Sequence, residues 1–499
     1  MAGPNVLALA AKRWPDKRAR LAEGFYKIKG KDGKVVPFRM NDDQAGFFDN
    51  RHGMDVVLKA RQKGFTTVIQ LDILDDCLFK PNTAAGVIAH NLNDAKAFFA
   101  DKIKFAYDGL PGAFRKVVSA EVDAAESMRF SNGSSIRVGT SLRSGTLQRL
   151  HVSEYGKLCA KYPEKAKEVK TGAFNTVQAG MSITVESTAE GQAGDFYEMC
   201  RKAQAKAEAG DTLTALDFKF HFSPWFTSPE YRLDPQGVTI TAEMVDYFAK
   251  VETDALITLD SWQRAWYIKK AEQQGEDVKR EYPSTAKEAF EASIEGAYFS
   301  LQMTAMRKQG RICRLPVLDK PVYTTWDLGV NDSTCITFWQ DEGHERRAID
   351  YYENNGESWG HYSGVLLAKG YSYSRHHLPH DGAQRQQGAD SVKKKWEIAQ
   401  EAGINPTELL PRIATEKHGI DASRAFLPNV YIDQERCARL IWCLDNYRKE
   451  WDDKLGVWKD HPRHDDASHG YKSFEGAAIM VRNQAGSALD LSKLTRGMV

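Results

Sequence analysis

No stretch of this 499-residue chain approaches the roughly 18 consecutive apolar residues that a helix needs to span a bilayer. The segment Met1 to Ala11 is mildly apolar, but it is too short and too alanine-rich for a signal peptide. Cysteine is sparse, with seven scattered residues and only Cys437 and Cys443 close together. Leu440, Ile441 and Trp442 lie between those two, which suits a helix face rather than a zinc knuckle, so buried free thiols are expected. These absences predict a cytoplasmic protein. An excess of one charge is also missing: 68 Lys and Arg stand against 67 Asp and Glu, a formal net charge of +1. The strong basic excess of many nucleic-acid proteins is therefore not available as an argument. Basic residues gather instead in runs at 12–20, 27–34 and 393–395, which ordinarily form solvated faces. Long heptad repeats are lacking too, so no coiled coil is expected to fix an oligomer. What remains is an ordinary globular composition, 42% hydrophobic and 27% charged, in a chain long enough for two or three domains.

The first half alternates strands and helices. Met54 to Ala60 reads as a strand, Arg61 to Gly64 as a turn, and Thr66 to Phe79 as a helix. Gly86 to Ala89 is a second strand, and Asn93 is placed to cap a helix running to about Tyr107. Asn132-Gly133 forms a hairpin turn, and Leu147 to Ser153 and Met181 to Glu186 are two more strands. This grammar predicts a mainly parallel sheet, whose ligands bind at the carboxyl ends of the strands. A phosphate loop reads GxxxxGK[ST]. The window Lys59-Ala60-Arg61-Gln62-Lys63-Gly64-Phe65-Thr66 keeps the second glycine and the hydroxyl, but lacks the first glycine and has Phe65 in place of the lysine. Gly64 lets the backbone approach a phosphate, and Thr66 offers a hydroxyl to magnesium. Lys59 is the candidate cation for the β and γ phosphates, Arg61 a second one, and Gln62 and Lys63 lie in the same loop. Glu154 ends a strand, where a carboxylate can polarise a water for attack on a γ phosphate. Ser153 stands where an aspartate usually precedes such an acid, leaving magnesium more to Thr66 and water. Ser187-Thr188-Ala189 follows the next strand as a candidate γ-phosphate sensor, and Gln44 is a candidate reader of the adenine edge.

The second half is rich in carboxylates. Helix formers dominate 200–310, and the prolines at 316 and 321 mark the domain boundary. Pro321 to Leu328, Thr334 to Trp339 and Arg346 to Glu353 form a strand meander, with a turn at Asn331-Asp332. A helical segment spans 357–369, His376 to His380 is a short strand ending at Asp381-Gly382, and helices return near 390–402 and 433–448. The run His464 to His469 opens a final helix. Asp327 alternates with Trp326 and Leu328, so it faces away from its apolar neighbours, and a buried acid there needs a partner. Acids at separate strand ends and a helix start, Asp327, Asp381 and the Asp465-Asp466 pair, suit metal-dependent phosphodiester cleavage. Their hard oxygens fit magnesium or manganese.

The runs KARQKGFTT, SLRSGTLQRLHVSEYGK and ITVESTAEG resemble the three ATPase motifs of tailed-bacteriophage terminase large subunits. The later runs FKFHFSPWFTSPEYRL, VKREYPSTAKEAFEAS, YTTWDLGVNDST, LPHDG and HDDASHGYKSF resemble further segments of the same family, in order and spacing. The resemblance implies an α/β protein: an N-terminal RecA-like ATPase domain of the additional-strand class, then a C-terminal RNase H-like nuclease domain. It implies that Lys59, Arg61, Gly64, Thr66 and Thr67 hold phosphate, with Glu154 the catalytic acid. Ser187 and Thr188 belong to the segment that couples hydrolysis to movement, and Arg143 is an arginine that reaches a neighbouring subunit's site. In the nuclease it implies metal ligation by Asp327, Asp381 and Asp466, with Asp465 the neighbouring alternative, and Glu353 and His469 as outer helpers. The expected cofactors are ATP and Mg2+, with Mn2+ also serving the nuclease. The expected partners are double-stranded DNA, a small terminase subunit, the portal protein of the procapsid, and further copies in a pentameric ring. Such a protein works in the host cytoplasm and is absent from the mature virion. The expected division is an ATPase domain over 1–312 (core about 36–225, helical subdomain about 226–312), a linker over 313–320, a nuclease domain over 321–485 and a tail over 486–499. Rival readings are a repair-type helicase–nuclease, for which a second phosphate loop is missing, and a non-catalytic assembly scaffold.

Overall fold

Strands covered on both faces read as apolar runs, and Met54–Lys59 and Ala84–Ile88 of the first sheet come near to this. In the computed structural model, which describes residues 10–494 apart from Ser144, Ala193, 292–295, 330–332, 388–391 and 453–456, strand β1 (Met54–Lys59) is buried along its whole length. Helix α1 (Phe65–Phe79) follows it and is almost wholly buried. Then come β2 (Ala84–Ile88), β3 (Ala120–Asp123), β4 (Ser127–Phe130), β5 (Ser135–Gly139) and β6 (Leu147–Ser153). Helix α2 (Tyr155–Lys161), β7 (Val177–Ser187), α3 (Asp195–Ala209) and β8 (Lys219–Ser223) complete the layer. The sheet order is β8-β1-β7-β6-β2-β5-β4-β3, parallel from β8 to β5 and antiparallel through the β5-β4-β3 edge. Strand β7 enters between β1, which leads into the loop, and β6, which leads to Glu154. That insertion is the additional strand of a RecA-like sheet. The chain clusters into two compact units, Met1–Ser293 and Ile294–Val499.

The second unit is built on helix α4 (Ser300–Lys308) and strands β9 (Ile312–Cys313), β10 (Val322–Asp327), β11 (Ser333–Glu342) and β12 (Glu345–Asn355). It continues with α5 (Trp359–Lys369), β13 (Tyr373–Leu378), β14 (Thr407–Leu409), α6 (Glu416–Phe426), β15 (Val430–Asp433), α7 (Ala438–Asn446) and α8 (Asp466–Leu494). Strands β12, β11 and β10 form an antiparallel meander, and β13 and β14 extend it in parallel beyond β10. Reading outward from the meander, this is the 3-2-1-4-5 arrangement of an RNase H-like sheet, with β15 and β9 added on the meander side. The two faces carry separate cores: Trp326, Ile336 and Phe338 pack under α5, while Tyr323, Trp339 and Cys335 pack with Tyr471 and Phe474 of α8.

Several expected elements shift. Asn91, not Asn93, caps the helix after β2, its side chain accepting from Asp94 N. Lys219–Ser223 is an edge strand within a region expected to be helical, because its alternating Phe220 and Phe222 pack onto the sheet. Val430–Asp433 is likewise a strand, ahead of the helix expected over 433–448. The division of the chain falls at 293/294 rather than 313–320. Phe299, Met303 and Met306 recur at helical spacing and bury themselves in the second unit's core, and Ile312–Cys313 pairs with Ile432–Asp433, so 296–320 belongs to that unit. The final helix runs on into the expected 486–499 tail. The turn expected at Asn331-Asp332 and the helix start at Asp390 lie outside the described residues. No helix among the described residues is long and apolar enough to cross a membrane.

Helix α1 carries three buried acids, Asp72, Asp75 and Asp76, which are tolerable only if neutralised. Arg149 of β6 reaches both Asp72 and Asp76, Arg51 lies 2.7 Å from Asp72, and Arg20 lies 2.6 Å from Asp75. Lys17 bridges Asp72 and Asp76 from the short helix Lys17–Ala22. Burial alone would raise the Asp72 carboxyl, but Arg149, Lys17 and Arg51 together hold it far below the usual range. Its contribution to stability is therefore complete above about pH 4, the ordinary value for an unfolded aspartate, and is lost as pH falls toward the folded value. Arg149→Ala is expected to destabilise the first unit by about 3 kcal/mol, because it takes a buried guanidinium from two buried carboxylates and leaves them to Lys17 and Arg51. Equilibrium urea unfolding at pH 7 measures this, and a change within experimental error of zero would contradict the role assigned to Arg149.

Candidate functional site

The loop between β1 and α1 brings its groups to the carboxyl edge of the parallel sheet. Gly64 caps α1 at φ 77°, a left-handed conformation, and a Cβ there would collide with the Gln44 amide. The free N-terminal end of a fully formed helix favours anions. Beside it Lys59, 5% exposed, sets its ammonium 3.2 Å from Glu154 Oε1 and 3.0 Å from Glu186 Oε2. Burial would lower the Lys59 pKa, but Glu154 and Glu186 override it and hold the ammonium charged, above its ordinary value. Glu186 is wholly buried, and the hydroxyls of Thr66 and Ser153 both donate to its Oε1 at 2.7 Å. Burial pushes the Glu186 carboxyl up, yet Lys59, then His151 and Thr66, bring it well below the usual carboxylate range. Glu154 sits at φ 55°, a left-handed conformation that costs a non-glycine residue about 1–2 kcal/mol. Its other oxygen lies 3.3 Å from Lys157. At the end of β7 the Ser187 and Thr188 hydroxyls are buried without a hydrogen-bond partner. Gly156 makes their approach possible, since a Cβ there would stand 2.7 Å from Thr188 O and 2.9 Å from Ser187 Oγ. A cation, orphaned buried hydroxyls, hard carboxylate oxygens and a helix N-terminus form a donor set that fits a magnesium–polyphosphate.

Not every expected residue joins this cluster. Lys63 is buried and turned away, its ammonium 2.5 Å from Asp43 and donating to Thr227 Oγ1 at 2.6 Å and Pro224 O at 3.0 Å. It is a strut of the loop rather than a phosphate holder, because those three acceptors satisfy its charge and its donors. Gln44 is buried and engaged in the loop: its Oε1 accepts from Asn41 N and its Nε2 donates to Gly64 O. Arg61 is half-exposed and pairs with Glu281 at 2.9 Å. Gln62 is exposed at φ 56°, and Thr67 is buried in the first turn of α1, its amide bonded to Gly64 O. Arg143 is exposed before β6 and pairs with Glu168 at 2.8 Å. The residue that sequence reasoning missed is Glu186. Its signal was present: an acid closing the alternating run ITVES, the same anomaly that singled out Asp327.

In the second unit, a cleft of about 520 Å³ opens where β10 and β13 end. Asp327, Asp381, His380 and His469 line it, with Arg412, Arg463, His464 and Lys472 around them. His469 Nδ1 lies 3.5 Å from Asp327 Oδ2, and Lys395 Nζ lies 3.3 Å from Asp381 Oδ2. Burial pushes the Asp327 carboxyl above its ordinary value; His469 and Lys472 oppose this and Asp381 adds to it. Asp465 and Asp466 do not line the cleft. Asp465 turns back to cap α8, accepting from Ala467 N at 3.1 Å with Arg463 3.5 Å away, and Asp466 is exposed at the helix start. Glu353 lies level with Asp327 across the sheet, through Cys335, but is held by Tyr351 at 2.7 Å and Arg439 at 2.8 Å. Among the described residues no three His, Cys, Asp or Glu side chains are assembled to hold a metal. Two carboxylates with water and phosphate completing the shell is nevertheless a donor set that magnesium accepts.

No family model and no curated protein matches the chain. Solved structures resemble it. The HK97 bacteriophage large terminase matches at 11% identity and a TM-score of 0.42, covering 93% of this chain and 98% of that one. The large terminase of a thermophilic bacteriophage, in complex with ATP-γ-S, matches at 10% identity and 0.31, covering 88% and 98%. The nuclease domain of the bacteriophage SPP1 large terminase, with bound Mn, matches at 15% and 0.26, covering 33% and 92%. Similarity at this level carries no argument about activity, which must be read from the residues.

Lys63→Ala is expected to cost the first unit about 2–3 kcal/mol, since it removes a buried ammonium that pairs with Asp43 and donates to Thr227 Oγ1 and Pro224 O. The Lys59–Glu154–Glu186 cluster does not depend on it. Urea unfolding of the variant checks this, and wild-type stability would rule out the strut.

Proposed function

We propose that this protein is the large subunit of a tailed-bacteriophage terminase, an ATP-driven motor for double-stranded DNA with a divalent-metal-dependent endonuclease in the same chain. The observation that carries the reading is the coexistence of two arrangements. A buried lysine and two acids lie beside a helix N-terminus on an additional-strand sheet, and a paired-carboxylate cleft with basic walls opens on an RNase H-like sheet. The motif resemblance runs through both.

In the first unit Lys59 moves its ammonium from the carboxylates to the β and γ phosphates, and Gly64 lets the α1 amides approach them. Glu154, relieved of Lys59, polarises a water for in-line attack on the γ phosphate. Ser187 and Thr188 find their missing partners there, so the end of β7 senses whether the γ phosphate is present. Arg143, exposed and outside its own cluster, is suited to reach a neighbouring subunit's nucleotide, a contribution that can be worth roughly 10³–10⁵ in rate. Divalent cations, Mg2+ at the nucleotide and Mg2+ or Mn2+ at the cleft, supply neutralisation of phosphate charge and activation of water when bound. In the second unit Asp327 and Asp381 are the ligands, His469 orients Asp327, and Arg412, Arg463 and Lys472 hold the DNA backbone. DNA contact of this kind is made to phosphates and weakens with salt. Concatemeric DNA, a small terminase subunit, the portal of the procapsid and four further copies in a pentameric ring complete the machine in the host cytoplasm.

Glu154→Gln is expected to reduce DNA-stimulated ATP hydrolysis by roughly 10²–10⁴-fold, the range for losing a positioned base. Hydrolysis unaffected by the change would remove Glu154 from the mechanism, and none in the wild type would favour the scaffold. Plasmid cleavage in Mg2+ or Mn2+ is expected to vanish in both Asp327→Asn and Asp381→Asn. Metal-dependent cutting that survives both would remove the cleft from the mechanism.

A further inference from the structure

Position 153 is where an aspartate is expected to precede the catalytic acid, and it holds a serine. A serine hydroxyl cannot supply the negative charge that organises a cation and its water beside a triphosphate. The parallel register pairs Ser153 with Glu186 on the adjacent strand, so both side chains rise on the same face of the sheet. Glu186 reaches past Ser153, accepts its hydroxyl at 2.7 Å, and with the same oxygen accepts the Thr66 hydroxyl at 2.7 Å. Its other oxygen lies 3.0 Å from Lys59. One wholly buried carboxylate thus gathers the lysine and the hydroxyl assigned to the nucleotide, together with the serine that replaces the missing acid.

A purely structural role does not account for it. Lys59 already has Glu154 as a counter-ion at 3.2 Å, so charge balance does not require a second buried carboxylate. Val57 of β1, paired directly with Glu186, is apolar and Ser153 on the other side is uncharged, so neither calls for a charged partner, and an uncharged residue there would avoid the desolvation cost. A buried ionised group without a structural need is a mark of function.

We propose that Glu186 is the positioning carboxylate of the nucleotide site, doing from β7 the work that an aspartate at position 153 of β6 would do. It orients the Thr66 hydroxyl for the cation that accompanies the nucleotide and holds Lys59 ready for the phosphates. The proposal rests on the nucleotide-site reading above.

The test is the affinity of the full-length protein for ADP, by calorimetry, in Mg2+ and in EDTA. The wild type is expected to bind more tightly with Mg2+. In Glu186→Gln that advantage should shrink by roughly 10–100-fold, the cost of losing an outer carboxylate of a metal site, with little change in EDTA. The double variant Ser153→Asp/Glu186→Gln moves the carboxylate back to β6 and should restore much of the advantage, which a merely structural glutamate would not allow. A folded Glu186→Gln protein with the wild-type Mg2+ advantage overturns the proposal, as does a folded double variant without recovery. If Glu186→Gln fails to fold, a folded double variant with the advantage supports the assignment, and failure of both to fold overturns it in favour of a structural role. Wild-type protein that binds ADP in neither buffer fails differently, by removing the nucleotide site itself.

Discussion

A lysine ammonium taken out of water must be neutralised, and at Lys59 this need organises the first unit. Its two counter-ions come from different strands, Glu154 from the end of β6 and Glu186 from the end of β7. Strand β1 must therefore lie beside β7, and β7 beside β6, with their carboxyl ends level. The sheet order does this. The same acids then tie in Thr66 and Ser153 through Glu186. A cluster of this kind is costly to bury, and several kcal/mol of desolvation per ion are recovered only with good geometry. Lys59 is thereby held by both carboxylates at once.

The surroundings of the loop hold it in place. Lys63 pins its far side to Asp43 and Thr227, and Gln44 fastens Gly64 O. Arg61 N donates to Glu281 O, and an aromatic group including Trp225, Tyr231 and Trp266 packs beneath Ala60. Helix α1 is anchored through its acids to Arg149 of β6, so the loop's helix and the strand that presents Glu154 share one buried ionic network.

The second unit solves a different problem, that of keeping two acids near each other. Asp327 and Asp381 lie at the ends of adjacent parallel strands, and helix α8 crosses the same face to bring His469 against Asp327. Repulsion between the acids is opposed by His469 and Lys472 beside Asp327 and by Lys395 beside Asp381.

Local chemistry was legible in the sequence. Alternation marked Asp327 as an inward acid, the strand-to-turn transitions located Lys59 and Gly64, and Glu154 followed a recognisable apolar strand. Most strands of both sheets were found within a few residues, because apolar runs and turn residues are local signals. The short strands Lys219–Ser223 and Val430–Asp433 were not, since their apolar residues alternate too briefly to stand out from a helical stretch. The chain's order also could not place the boundary, because Phe299, Met303 and Met306 look the same whichever core buries them. The sequence by itself determined which residue types were available for phosphate, metal and acid–base chemistry. Only the tertiary structure decided which of them meet. It chose Glu186 through strand register, withdrew Lys63 and Gln44 into loop supports through competing partners, and turned Asp465 into a helix cap. Those choices depend on which side chains from distant segments reach a group first, and that is a property of packing in three dimensions.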